Sequence, residues 1–207
     1  MKKRFRLIPV LEASLAVGLA CALVWGAVSL QSQQALAERV VRLHILANSD
    51  SEEDQTLKLQ VRDAVLARAE TILTRAQDRA DAETALRAAL PELTALAEEE
   101  IARRGYAYPV RAELTDTAFP TRVYDGFALP AGRYLALRLL IGAGAGRNWW
   151  CVVFPPLCAA AAEDVPTAAM AAGLTQDDVR LITEDGAGYT LKFKSLELLE
   201  RLRERFS

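Results

Sequence analysis

The N-terminal segment limits the fold of this chain more than any other feature of the sequence. Four basic residues lie within the first six positions, and the apolar run from Ser14 to Leu30 contains no charged residue. A basic flank followed by such a run is typical of a segment that inserts into a membrane with its basic end in the cytoplasm. We therefore predict that the residues after position 37 are exported.

Two fates of this segment fit the sequence. Ala35 and Ala37 are small residues at the two subsites that signal peptidase reads, which favours cleavage after Ala37. If it is not cleaved, the apolar run comes close to the roughly 20 residues that a spanning helix needs. Residues 1–37 are therefore predicted to be a signal peptide or a membrane anchor, and residues 38–207 to form one extracytoplasmic domain.

Composition supports a single core and argues against one class of partner. The chain has 52% hydrophobic residues, which is ample for one domain of this length. Its 25 basic and 27 acidic side chains nearly cancel, so there is no electrostatic footprint for nucleic acid. Removal of residues 1–37 takes away four basic side chains but only one acidic one, which leaves a mildly acidic exported part.

A strand and then a helix are predicted directly after the export segment. Val41, Leu43 and Ile45 alternate with polar neighbours, which indicates a strand. Ser51 is a candidate N-cap for the helix that follows, with Asp54 at the capping-box position. This strand-to-helix turn is polar throughout.

The middle of the chain predicts a second helix and more strands. The helix should cover residues 81–104, with a kink or restart at Pro91 and a stop at Gly105. Alternating apolar residues follow in segments 110–114 and 133–142. We predict an α+β fold in which two long helices pack on a mainly antiparallel sheet.

The C-terminal third gives weaker signals. Residues 159–173 are rich in alanine and are either a linker or a poorly specified helix. Residues 179–183 and 189–194 are predicted to pair as a hairpin, followed by an amphipathic C-terminal helix that Ser195 can cap.

Export changes how the three cysteines are interpreted. Cys21 lies in the apolar segment, and only Cys151 and Cys158 remain outside, where disulfides persist. We predict a bridge between them, although two buried free thiols fit the same spacing. The spacing is too wide for a CxxC redox motif.

The stretch RNWWCVVFPPLC, residues 147–158, concentrates two of the three tryptophans. Alternation would send its two tryptophans to opposite faces of a strand, and both faces are apolar. A strand buried on both sides explains this pattern, but tryptophan is also an enriched interface anchor and Pro-Pro makes a stiff corner. The partner-contact candidates are Trp149, Trp150, Phe154, Pro155 and Pro156.

The single histidine has polar neighbours in the chain. His44, Asn48, Asp50, Ser51 and Asp54 include residue types that bind metals, but a strand-to-helix turn needs the same types. We interpret them as a structural polar network. A metal-dependent hydrolase centred on His44, Asp50 and Asp54 is the alternative, and partner contact is a third possibility.

Other catalytic signals do not support an enzyme. The sequence has no GxSxG elbow, and the cysteines have apolar neighbours that do not lower a thiol pKa. Glycines 142, 144 and 146 are interpreted as a flexible turn between strands. We predict no catalytic residues, no cofactor and no metal.

Two blocks of the sequence carry a family resemblance. VVRLHILANSDSEEDQTLKLQVRDAV near the start and LPAGRYLALRLLIGAGAGRNWWCVVFPPLC later resemble the stage II sporulation protein R family of endospore-forming bacteria. The order of the blocks, the export segment before them and the sequence FPTRVYDG between them also fit. The resemblance covers roughly residues 38–158 and is weaker in the tail.

The resemblance implies a function that the residues alone do not give. Family members are signalling proteins made in the forespore and exported into the space between forespore and mother cell. There they are required for the activation of a membrane-embedded aspartic protease, which matures a mother-cell sigma factor from its precursor. The implied partner of this chain is therefore that protease, with additional membrane contact if residues 1–37 are retained.

Overall fold

The computed structural model describes residues 7–124, 126–160 and 165–183. The chain divides into two compact units, Met1–Ala35 and Leu36–Ser207. Helix α1 (Leu7–Ala37) contains a stretch, Val10–Ala37, that is long and apolar enough to cross a membrane. A signal sequence near an N-terminus meets the same criterion.

The second unit is built on a four-stranded mixed sheet with strand order β2-β5-β1-β6. Strand β1 runs parallel to β5 and antiparallel to β6, and β2 runs antiparallel to β5. The four strands are β1 (Val41–Leu46), β2 (Val110–Phe119), β5 (Gly132–Ile141) and β6 (Asn148–Phe154). The predicted α+β class with a mainly antiparallel sheet is confirmed.

Two long helices cover one side of this sheet. Helix α2 (Glu52–Leu73) begins where the sequence predicts, because the Ser51 hydroxyl accepts a hydrogen bond from the backbone N–H of Asp54 at 3.2 Å. Helix α3 (Arg79–Arg103) continues through Pro91 as one helix. We call the side of the sheet that packs on α2 and α3 the helix face, and the opposite side the back face.

The helix face holds the main core. Val41, Leu43 and Ile45 of β1 are fully buried there, which is what their alternation predicts. Each fully buried aliphatic side chain of this kind contributes about 1.5–3 kcal/mol. The β1 side chains pack in one core with residues of both helices, including Leu57, Val61 and Val65 of α2 and Leu86, Leu93 and Ile101 of α3.

Smaller elements form a second core on part of the back face. They are the hairpin β3 (Arg122–Tyr124) and β4 (Phe127–Leu129) and the helices α4 (Leu157–Ala160), α5 (Val165–Ala171) and α6 (Gln176–Thr183). Within the alanine-rich segment the structure thus has helix, one of the two predicted alternatives.

The predicted strand at residues 179–183 is wrong, because these residues are the second half of α6. The hydroxyl of Thr175 accepts the backbone N–H of Asp178 at 3.2 Å and caps the first turn, which favours helix over the weak strand propensity of a short apolar run. The rest of the predicted hairpin and the C-terminal helix lie outside the described residues.

The glycine-rich turn, residues 142–146, passes over the end of β1, since β1 lies between the strands that it connects. The backbone N–H of Ala143 donates to Oδ1 of Asn48 at 3.0 Å, and that of Gly146 donates to the carbonyl of Ala47 at 2.9 Å. These bonds hold in place a turn that the sequence predicted to be flexible.

Candidate functional site

A row of polar and aromatic side chains crosses the back face on four adjacent strands. Glu113 is in register with Arg138, Arg138 with His44, and His44 with Trp150. We call these four residues the back-face row. Register, rather than proximity in the chain, brings them together, because they come from β2, β5, β1 and β6.

His44 is the buried centre of this row. Its side chain is 4% exposed, Nε2 lies 2.7 Å from Oδ1 of Asn148, and the ring stacks on Trp150 at 3.9 Å between centroids. Burial lowers the pKa of His44 below its ordinary value, and the nearby charges of Arg138 and Arg42 act in the same direction, against the Asn148 hydrogen bond. The imidazole is therefore neutral at neutral pH.

This environment predicts a pH-dependent stability. Because the pKa of folded His44 is lowered, the unfolded chain takes up a proton that the folded chain refuses once the pH falls below 6.5. The stabilisation is complete above that pH and is lost as the pH falls towards the folded pKa, by at most about 1.4 kcal/mol per pH unit. Urea unfolding between about pH 7.5 and pH 5 should show this slope, because both limits lie about one unit or more from the histidine value of 6.5.

The chain has only one histidine, which makes the control direct. His44→Gln should remove the dependence on pH in this range while leaving the hydrogen bond to Asn148 possible. An unchanged slope in the variant would assign the titration to another group.

The two ends of the row differ in charge pairing. Arg138 donates from Nη1 to Oε1 of Glu113 at 2.5 Å. At the other end, the guanidinium of Arg122 lies 5.7 Å from the ring centroid of Trp150, and Phe119 meets the same ring edge-on at 4.7 Å. The row therefore ends in an aromatic cluster with a cation above it.

Arg42 lies beside the row and is fully buried, with 0% of its side chain exposed. Its Nη2 donates to the hydroxyl of Tyr124 at 2.7 Å, and its guanidinium lies 4.0 Å from the ring centroid of Phe119. In the described part of the chain, Nε and Nη1 have no hydrogen-bond acceptor and no carboxylate pairs with the charge. Burial lowers the pKa of Arg42, so the site holds a cation at a free-energy cost.

Arg42 is not among the functional candidates that the sequence predicts. The available signal was a basic residue inside an otherwise buried strand, VVRLHIL, where a charge needs compensation. One partner of the Arg42 guanidinium, the Tyr124 hydroxyl, belongs to the hairpin β3–β4. The sequence alone does not place this hairpin beside β1.

A separate polar network holds the turn between β1 and α2. Oδ2 of Asp54 accepts from Nδ2 of Asn48 at 2.8 Å and from the hydroxyl of Ser49 at 2.6 Å. Burial acts to raise the pKa of Asp54, but these hydrogen bonds and one from Tyr108 outweigh it and leave the pKa below its ordinary value. Asp50 accepts the backbone N–H of Arg147 at 2.6 Å and so ties the turn to β6.

His44 is not part of that network. Its side chain points to the back face, whereas Asp54 belongs to α2 on the helix face and Asp50 bonds to the backbone before β6. The three residues of the hydrolase alternative therefore do not converge. Across residues 7–124, 126–160 and 165–183, no group of three or more His, Cys, Asp or Glu side chains is placed to hold a metal ion.

The structure contains a disulfide between Cys151 and Cys158, with 6.0 Å between the Cα atoms. The Cys158 sulfur accepts the backbone N–H of Val152 at 2.9 Å and lies 2.9 Å from the carbonyl oxygen of the same residue. The bridge therefore covers the outer edge of β6 at Val152, where an exposed strand would otherwise offer its backbone to another chain.

Loss of this bridge should destabilise the domain. The closed loop is short, so the chain-entropy treatment gives roughly 2–3 kcal/mol of stabilisation. We expect a Cys151→Ala/Cys158→Ala double variant to lose at least this much in urea unfolding, because Cys151 is also buried. Cys21→Ala is the control and should change nothing; an equal loss in both variants would contradict the role of the bridge.

The aromatic stretch divides between core and surface. Phe154 is 2% exposed in the helix-face core and Pro155 is also buried, so these two candidates are removed from the predicted contact surface. Trp149 and Trp150 are half-buried on opposite faces of β6, and the Arg62 guanidinium lies 4.9 Å from the Trp149 ring centroid. Exposed Pro156 lines a groove of about 560 Å³ together with α2 and α5.

The structure combines an apolar N-terminal helix, of the kind found in signal sequences and membrane anchors, with a disulfide-containing α+β domain, and this combination is typical of proteins that act outside the cytoplasm. The family model for stage II sporulation protein R matches residues 37–164, and the chain belongs to that family. The match includes all four residues of the back-face row and Arg42.

One curated relative is similar over more than half of this chain. Stage II sporulation protein R of Bacillus subtilis (strain 168) is 40% identical over 123 residues, which are 59% of this chain and 55% of the relative. The chain thus spans about half the length of the curated relative that it matches. No solved structure matches the chain.

Proposed function

We propose that this protein is an exported sporulation signal that activates a membrane-embedded aspartic protease of the mother cell. In this proposal it is made in the forespore and acts in the space between the two cells, where the activated protease matures a sigma-factor precursor. The observation that carries the proposal is the family match over residues 37–164, which begins at the end of the apolar helix and includes the whole sheet.

Two features of the described chain support export. The helix Val10–Ala37 is apolar and lies near the N-terminus, and the Cys151–Cys158 bridge is of the kind that persists in oxidising compartments. A forespore protein with both features would present residues after 37 to the mother cell's membrane.

We infer that the protein acts by binding rather than by catalysis. The residues of the hydrolase alternative are each occupied in holding the fold: Asp54 by the turn, Asp50 by β6 and His44 by Asn148. Binding activates a receptor if it favours the active arrangement over the inactive one. Moving that equilibrium from 1:99 to 99:1 requires roughly 5.5 kcal/mol of differential affinity, which a modest interface can supply.

The back face is the surface that fits this role. It places half-buried Trp150 beside the exposed residue Arg122. Aromatic and arginine side chains at the centre of a contact are the residues that most often dominate binding energy. The helix face, by contrast, is closed by α2 and α3.

Complementation tests the proposal. The full chain is expressed in the forespore of Bacillus subtilis that lacks its own stage II sporulation protein R, and processing of the sigma-factor precursor in the mother cell is measured. Restored processing is expected. A parallel strain secretes residues 38–207 behind an unrelated signal peptide, and it should also signal if the apolar helix serves only for export. Absence of processing with a stable, exported full chain would contradict the proposed function.

A further inference from the structure

The strands place an excess of positive charge on the back face of a chain whose overall formal charge is −2. Glu113 is the only carboxylate that strands β1, β2, β3, β5 and β6 contribute to that face among the described residues, and it is paired with Arg138. The arginines on the face are Arg42, Arg111, Arg122 and Arg138.

Two of these arginines are exposed and free to bind. Arg111 lies two residues before Glu113 on β2 and therefore on the same face, and Arg122 lies over Trp150 at the opposite edge. In the part of the chain that the structure describes, neither has a carboxylate within ion-pair distance. The two cations flank the back-face row from both sides.

Buried polar groups of the row and of neighbouring Arg42 also lack hydrogen-bond partners among the described residues. Nδ1 of His44 and Nε1 of Trp150 are buried without a hydrogen-bond partner among the described residues, as are Nε and Nη1 of Arg42. A buried donor left unpaired costs about 1–3 kcal/mol. A ligand that shifts Arg122 and brings acceptors to this region would relieve part of that cost.

We propose that the part of the back face between Arg111 and Arg122 binds an acidic, extended peptide segment of the receptor. This proposal rests on the signalling function proposed above. Carboxylates of the segment pair with Arg111 and Arg122, and the chain between them crosses the row and covers Trp150. Charge complementarity selects this occupant, because the described strands bring cations and an aromatic ring to this face together with one carboxylate, Glu113, which Arg138 already pairs.

The sheet sets the spacing of the two carboxylates. Three interstrand steps separate β2 from β6, and steps of about 4.8 Å give roughly 14 Å between the two edges. An extended chain advances about 3.3 Å per residue, so the two acidic residues should be about four positions apart, on the same side of the segment.

Peptide binding to the full chain in neutral detergent tests the inference. The probe is a fluorescent synthetic peptide of serine and threonine with two glutamates about four residues apart. The comparison peptides carry glutamines in place of both glutamates, or the two glutamates next to each other. We expect the spaced acidic peptide to bind best and its affinity to fall steeply with added salt.

Arg111→Gln and Arg122→Gln should each weaken binding roughly tenfold, which corresponds to about 1.4 kcal/mol. Arg75→Gln is the matched control, because Arg75 is exposed beyond the end of α2 and outside the back face. Equal affinity for acidic and glutamine peptides, or equal loss in all three variants, would overturn the proposal. Arginine-dependent binding to phosphatidylglycerol vesicles in place of the peptide would also overturn it in favour of a lipid surface.

Complementation separates this inference from the function on which it rests. If the wild-type chain restores precursor processing and the Arg111→Gln/Arg122→Gln variant restores it equally well, the acidic-segment proposal fails and the signalling function stands. If the wild-type chain does not restore processing, the signalling function fails whatever the peptide shows. Loss of processing only in the arginine variant, with normal export, supports both.

Discussion

Gly146→Ala is expected to lower the free energy of unfolding by about 3 kcal/mol or more, because overpacking against rigid backbone cannot be relieved by a rotamer change. A Cβ on Gly146 would collide with the carbonyl oxygen and carbon of Ser49. That segment cannot yield easily, since the backbone N–H of Gly146 bonds to Ala47 and Ser49 bonds to Asp54. The substitution therefore separates β6 from the turn that begins α2.

Gly105→Ala is the matched control for this variant. Gly105 has φ +84° and nothing within 4 Å of an added Cβ, so its substitution tests backbone conformation without a collision. A left-handed conformation costs a residue with a Cβ about 1–2 kcal/mol. Urea unfolding in the same detergent should give a clearly lower free energy of unfolding for Gly146→Ala than for Gly105→Ala. The reverse order would contradict the close packing of the glycine-rich turn against the turn between β1 and α2.

The local elements of this fold could be predicted because local physical chemistry specifies them. Ser51 caps α2 through a bond to a residue three positions away, and the alternation in β1 places Leu43 in the core whatever the strand pairs with. The same reasoning gave the approximate span of α3. Of the kink or restart predicted at Pro91, the restart does not occur, because the packing of α3 against α2 and β2 outweighs the cost of the proline.

The candidate site could not be assembled from the sequence, because strand order is a long-range property. His44 and Asn148 are 104 residues apart and bond only because β6 adds to the free side of β1, while β5 takes the other side. The chain neighbours of His44 suggested instead a cluster with Asp50 and Asp54. Those residues follow the end of the strand and turn towards α2.

The burial of the predicted contact candidates was also only partly predictable. Alternation separates Trp149 from Trp150 but does not say which face a helix layer will cover. The irregular pairing of β1 and β6 near Val41 lets Phe154 join the helix-face core, where strict alternation had placed it with Trp150. Burial of Phe154 and Pro155 is therefore a result of tertiary packing that sequence periodicity does not contain.

Trp150→Ala is expected to reduce signalling at least thirtyfold, the effect of about 2 kcal/mol at an interface hot spot. The indole fills the end of the back-face row: it stacks on His44, meets Phe119 edge-on and supports Arg122. Removal of the indole therefore eliminates an apolar contact surface and also the ring over which the Arg122 guanidinium lies. Processing of the sigma-factor precursor in the complemented strain, measured as a function of expression level, gives the fold-change.

Trp149→Ala is the control that separates binding from folding. Trp149 is half-buried like Trp150, precedes it on the same strand and packs towards α2, with Arg62 beside its ring. Both variants should lose roughly 2–4 kcal/mol of stability, since each removes a large, partly buried ring. If the back face contacts the receptor, only Trp150→Ala loses signalling beyond what its stability loss explains. Equal signalling by two equally stable variants would place the receptor contact elsewhere on the molecule.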